Sequence, residues 1–304
     1  MEGPGFGAQG ANKYQYNGKE LNSDFGLNWN DYGARFYDAA VGRWNAIDRL
    51  SEKYFSIAPY AYAANNPIKY IDPNGQEVWI YYNNSEGKED KVLYSANMKY
   101  EGKDKFVQAA VKYLNGMNSS KSGASVLKDL IVSKNTFDFK NTPSAGGDMS
   151  LQFNYRDDKG KILSQYEQGG GEIKAAALLN DKITEYQQID NVAHEAFHGF
   201  QRENGRLPGG TNAEVEAYLF GRGVAATSDF PPSGFNSFGN GTKPAGEIYD
   251  KAMESLFYNG YDSKSYEQAV NNFVKGSGVN ATGVYNNLKP YPGYQPLINK
   301  FIPF

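Results

Sequence analysis

The chain has 304 residues, 40% hydrophobic and 15% aromatic, enough for one large or two smaller globular domains and too apolar for a disordered chain. A net charge of -3 and a pI near 5.6 give no reason to expect nucleic acid or an anionic membrane surface as a partner. There is no cysteine, which excludes disulfides, thiolate metal sites and cysteine nucleophiles, and says nothing about the redox compartment. The first residues, MEGPGFGAQGANKYQYNG, lack the basic and apolar regions of a signal peptide, and no run is apolar enough for a membrane span.

Residues 1–76 are dense in Tyr, Asn, Gly and Asp, with NG dipeptides at 17–18 and 74–75. This composition predicts short strands and tight turns with little helix. The segment is too small and irregular to bury a core alone, and is expected to end a larger β structure. The composition shifts near residue 77, so two domains are expected, 1–76 and 77–304.

EVWIYYN (77–83) alternates and is rich in β-formers, which predicts a strand. DKFVQAAVKYLNGM (104–117) has apolar residues at helical spacing, and SVLKDLIV (125–132) reads as a second helix. TFDFK (136–140), MSLQFNYRD (149–157) and EIKAAALL (172–179) read as strands. TEYQQIDNVAHEAFHGFQREN (184–204) is a long helical pattern closed by Gly205, and NAEVEAYLFGRGVAAT (212–227) is another helix. The Gly/Pro/Ser/Asn stretch at 231–244 is a loop, either a cover over a cleft or a surface insertion. Helices follow at 245–260 and 265–276, and the tail ending KFIPF reads as irregular. The expected class is α+β: a short β-rich segment, then a small sheet followed by several helices.

Both histidines of the chain stand in NVAHEAFHGFQ (191–201), as His194 and His198. On a helix, positions i and i+4 share one face, so the two imidazoles can meet one ion. Glu195 projects beside that face, where it can take a proton from water. HExxH on a helix is the zinc-peptidase signature. The apolar flanks Val192, Ala193, Ala196, Phe197 and Phe200 suit a buried active-site helix.

A catalytic zinc site takes three protein ligands and leaves one position open. No third histidine exists, so the remaining ligand must be a carboxylate. The candidates are Glu214 and the alternative Glu216, sixteen and eighteen residues beyond His198 at the start of the next helix. This layout resembles that of gluzincin-like enzymes, in which a small residue three positions after the glutamate lets the two helices pack closely. Glu214 has Ala217 there and Gly221 one turn later, whereas Glu216 has Leu219 and Phe220, so Glu214 is preferred. With Zn2+ bound, water would ionise near neutrality and Glu195 would act as general base, then pass the proton to the leaving amine. A donor to the oxyanion is also needed, and Tyr218, Tyr249 and Tyr258 are the candidates, with none singled out.

YQYNGKEL (14–21), DYGARFYDAAVGRW (31–44) and NNPIKYIDPNG (65–75) resemble the C-terminal end of the RHS-repeat core in its Bacteroidetes-type form. The resemblance covers about residues 12–76. In that family a β shell of repeats encloses a variable C-terminal toxin. It implies that residues 77–304 are a zincin-like metallopeptidase toxin, delivered into a competitor by its parent polypeptide or a secretion system. The implied partners are a peptide or protein substrate, a cognate immunity protein and the RHS shell. The family's core end also cleaves itself at P-x-x-x-x-D-P-x-G-L, through two aspartates. By resemblance these are Asp48 and Asp72, with Arg35 their partner. PIKYIDPNGQ (67–76) departs from the motif at Gln76, and Asp48 lacks the proline that commonly follows. The stretch Asp72-Pro73-Asn74-Gly75 also reads simply as a turn. Two further readings stay open: a non-enzymatic RHS surface or interaction module with a vestigial metal site, and a zinc site that processes its own polypeptide.

Overall fold

The computed structural model describes residues 19–23, 26–32, 35–47, 60–62, 78–131, 133, 137–143, 150–152, 155–156, 162–163, 171–206, 209–230, 237–280, 283 and 285–304. The chain divides into two compact units, Met1–Gln76 and Glu77–Phe304, and the class is mixed α+β.

Among the described residues of the first unit, four short strands form an antiparallel meander: β1 (Glu20–Asn22), β2 (Trp29–Asp31), β3 (Phe36–Asp38) and β4 (Arg43–Trp44). Alternation puts Tyr37 and Trp44 directly opposite each other, and with Tyr32 and Tyr62 they bury a small aromatic core. The rings meet edge-on or tilted, with Tyr32 and Trp44 perpendicular at 5.1 Å. These four aromatics form a small buried cluster within the unit. Arg35 is buried with its guanidinium 4.2 Å over the Trp44 ring, a cation–π contact. Asp48 and Asp72, its expected partners, lie outside the described residues, as do both NG dipeptides.

The second unit opens with β5 (Val78–Asn83) and β6 (Glu89–Tyr94), an antiparallel hairpin. α1 (Lys105–Ser119) and α2 (Lys121–Ile131) then carry the chain across to β7 (Phe137–Lys140), which pairs parallel with β5. A parallel pair requires such a crossover, since a tight turn can only join antiparallel strands. Beyond β7 come β8 (Ser150–Gln152), a small hairpin of β9 (Tyr155–Arg156) and β10 (Ile162–Leu163), and β11 (Gly171–Lys174). The main sheet has the order β6-β5-β7-β11-β8, parallel in its middle and antiparallel at both edges. Val78, Ile80, Phe137, Phe139 and Ile173 point from it into the core.

The expected strand at 172–179 ends early. After Lys174 the run turns into a 3₁₀ segment, Ala176–Leu179. Alanine has little β preference, and the buried Gln188 amide donates to the Ala177 carbonyl at 2.8 Å, which ties this turn to the following helix. The expected strand at 149–157 is split between β8 and β9.

Four helices complete the unit: α3 (Glu185–Glu203), α4 (Thr211–Thr227), α5 (Ala245–Asn259) and α6 (Ser263–Gly276). α3 begins at a capping box, in which Thr184 and Gln187 satisfy each other's backbone N–H groups. It ends at Gly205, whose φ of 72° suits glycine. α4 is buried nearly all round, which makes it the central helix of the unit. The tail is irregular in backbone yet not peripheral: Leu297, Ile298 and Ile302 are buried in the core. Of the 231–244 loop, residues 237–244 are described and are stitched to the end of α6, with Asn240 N–H donating to the Gly276 carbonyl at 2.8 Å.

Candidate metal centre

α3 and α4 pack side by side, and their contact brings the chemistry together. Phe197 of α3 stacks on Phe220 of α4, with centroids 4.5 Å apart and planes 22° from parallel. Gly221 stands at a close approach of the two helices. A Cβ there would lie 2.5 Å from the Asp190 carbonyl oxygen and 3.3 Å from the His194 Cβ. Asp190 also takes a hydrogen bond from Arg222 Nε at 3.0 Å, an ion pair between the same two helices.

Three side chains converge across this contact. His194 Nε2 and His198 Nε2 are 3.1 Å apart, and the Glu214 carboxylate faces both, with Oε2 3.6 Å from His194 Nε2 and Oε1 3.6 Å from His198 Nε2. One ligand atom from each residue lies within 4.8 Å of the other two, and tetrahedral bonds of zinc separate neighbouring ligand atoms by about 3.4 Å, so the group is compact enough for one small ion. Glu214 Oε2 is buried and makes no hydrogen bond among the described residues, as expected of an oxygen reserved for a cation. The buried group His194, His198 and Glu214 could therefore hold a metal ion.

The electrostatics agree. Burial and the neighbouring His198 push the His194 pKa down to about 3, leaving a neutral imidazole with a free lone pair. Burial also opposes charge on His198, but the Glu214 carboxylate outweighs it and raises that pKa to about 9. Burial pushes the Glu214 carboxyl up, and the two imidazoles reverse this and hold it below its ordinary value. Without metal, a proton on His198 neutralises Glu214 in the place a cation would take.

Glu195 is buried beside the group, and its charge helps to raise the pKa of both His198 and Tyr218. The Tyr218 ring packs on His194 with centroids 4.2 Å apart, and its hydroxyl pairs with that of Tyr285 at 2.8 Å. Burial keeps Tyr218 protonated far above the ordinary tyrosine range. Tyr249 is fully buried in the core and Tyr258 is 60% exposed, so of the three tyrosines Tyr218 is the one against the histidines.

Glu216, the alternative, stands outside the group His194, His198 and Glu214. It is fully buried, and its carboxylate accepts four hydrogen bonds. Leu297 N–H and Ile298 N–H donate to Oε1 at 2.7 and 3.1 Å, while Tyr294 O–H and Gln201 Nε2 donate to Oε2 at 2.8 and 2.9 Å. Sequence reasoning missed this anchor because three of its four donors lie 78 to 82 residues away. It also missed Gln201, whose Oε1 is 2.9 Å from His198 Nδ1. The available signal was a glutamine one turn beyond the second histidine, on the same helical face.

No family model matches the chain, and no solved structure matches it. A 63-residue stretch is 43% identical to salivary gland surface protein 1 of Aedes aegypti, covering 21% of this chain and 2% of that protein.

Proposed function

We propose that residues 77–304 are a zinc-dependent, zincin-like metallopeptidase, and that it serves as the toxin end of an RHS-type protein. The observation that carries the reading is the convergence of His194, His198 and Glu214 on one point, with a buried carboxylate oxygen left for a cation. Two imidazoles and one carboxylate are a donor set suited to zinc. When bound, the ion would supply Lewis acidity toward water and toward the peptide carbonyl.

The chain's own residues account for the rest. Glu195 takes a proton of the attacking water and returns it to the departing amine, so that one peptide bond and one water become a carboxylic acid and an amine. Tyr218, packed on His194 and protonated, donates to the developing oxyanion. β8, an edge of the main sheet packed near α3, is where an extended peptide would pair by strand addition. The RHS resemblance of residues 12–76 supports delivery into a target cell, with an immunity protein and the RHS shell as partners.

A second reading, a non-enzymatic surface module, draws support from the partial match to a salivary gland surface protein. One experiment separates them: protein cleavage by the full chain and by Glu195→Gln. Activity in the first, lost in the second with metal retained, supports the peptidase. Equal activity in both, or none in either with metal bound, overturns it.

A further inference from the structure

We propose that Gln201 and Glu216, held by the C-terminal residues Tyr294, Leu297 and Ile298, form a positioning relay that orients the His198 ring and thereby sets the affinity of the metal centre. The proposal rests on the reading of His194, His198 and Glu214 as metal ligands.

The relay follows from hydrogen-bond roles that have a single solution. The Gln201 amide lies 3.0 Å from the Ala213 carbonyl and 2.9 Å from the Glu216 carboxylate. Both of these groups only accept, so the amide nitrogen must face them. Gln201 Oε1 is thereby turned to His198 Nδ1 at 2.9 Å, and Nδ1 must carry the proton. That leaves Nε2 as the ring nitrogen directed at His194 and Glu214. Were the amide flipped, its nitrogen would face Nδ1 and its oxygen would face two acceptors.

Glu216 fixes the amide, and the tail fixes Glu216. The tail is also fastened around the α3–α4 connection. Thr211 N–H donates to the Lys289 carbonyl at 3.1 Å, Tyr291 N–H to Asn212 Oδ1 at 2.7 Å, and Arg206 Nε to the Gln295 carbonyl at 2.7 Å. The two histidines are therefore held differently. His194 Nδ1 is buried with no hydrogen-bond partner among the described residues, and its ring packs against Tyr218. His198 is held by hydrogen bonds that originate in the last residues of the chain. A segment that reads as irregular in sequence is thus part of the support of the centre.

The test uses the full chain, with zinc affinity measured by competition against a chromophoric chelator and the imidazole N–H protons read by NMR. The chain has two histidines, so the spectrum is readily assigned. Gln201→Leu is expected to lose the protected Nδ1–H signal of His198 and to bind zinc roughly 10–100-fold more weakly, still one ion at saturation. Tyr294→Phe, which does not touch the ring, should shift affinity in the same direction by less, and serves as the test if Gln201→Leu does not fold. Retention of both the signal and the affinity would overturn the relay. A wild-type chain that takes up no zinc would overturn the metal reading, while the Nδ1–H signal of the metal-free chain still decides whether Gln201 orients the ring.

Discussion

His194 Nε2 and Glu214 Oε2 face each other at 3.6 Å across the contact of two helices, too far apart for a hydrogen bond and spaced for a shared cation. Their neighbours in sequence behave otherwise: Glu216, two residues on, is fully committed to the tail.

The two glutamates are therefore expected to separate in mutagenesis. Glu214→Gln should abolish zinc binding and leave the fold intact, because Glu214 Oε2 makes no hydrogen bond among the described residues. Glu216→Gln should still take one zinc at saturation, but lose about 2–4 kcal/mol in urea denaturation, since it breaks a buried charged hydrogen-bond network.

Gly221 sets the distance between α3 and α4. Gly221→Ala places a methyl group 2.5 Å from the Asp190 carbonyl oxygen, a backbone atom that can yield only if the helices part. Overpacking of this kind costs about 1–3 kcal/mol. A lowered melting temperature and a weaker zinc affinity are expected together, because the ligands sit on opposite sides of the same contact.

Zinc affinity should depend on pH through His198. Its folded-state pKa is raised to about 9, so below that value the ion must displace one proton. Affinity is therefore expected to rise about tenfold per pH unit between pH 7 and 9 and to level off above it. The stability of the metal-free protein follows the same groups with the sign worked out. The raised His198 pKa stabilises fully below pH 6.5, and this is lost as pH rises toward 9. The lowered His194 pKa stabilises above pH 6.5, and this is lost as pH falls toward 3. Their joint contribution peaks near pH 6.5, to be checked by urea denaturation across pH.

The stacked pair Phe197 and Phe220 carries the helix contact that supports the site. Phe197→Ala should cost about 3–5 kcal/mol in urea denaturation.

Much of this was legible in the sequence, for local reasons. The helix of His194 and His198 announces itself by period, by Thr184 at its start and by Gly205 at its end. The small residue that the Glu214 pattern places one turn on, Gly221, lies against Asp190 and His194. The parts that were not legible depend on contacts distant in the chain. The run Ala176–Leu179 leaves the sheet because α3 takes one of its carbonyls. β6 pairs with β5, but EDKVLY is too charged at its start to show a strand pattern. The tail has no period at all, and its place is set by donors aimed at a buried carboxylate.

The most direct test is to count metal per chain by mass spectrometry for the purified full-length protein, beside His198→Ala. About one zinc per chain, absent from the variant, is the predicted result. No zinc in the wild-type protein, even after zinc is added back, would contradict a metal centre at His194, His198 and Glu214.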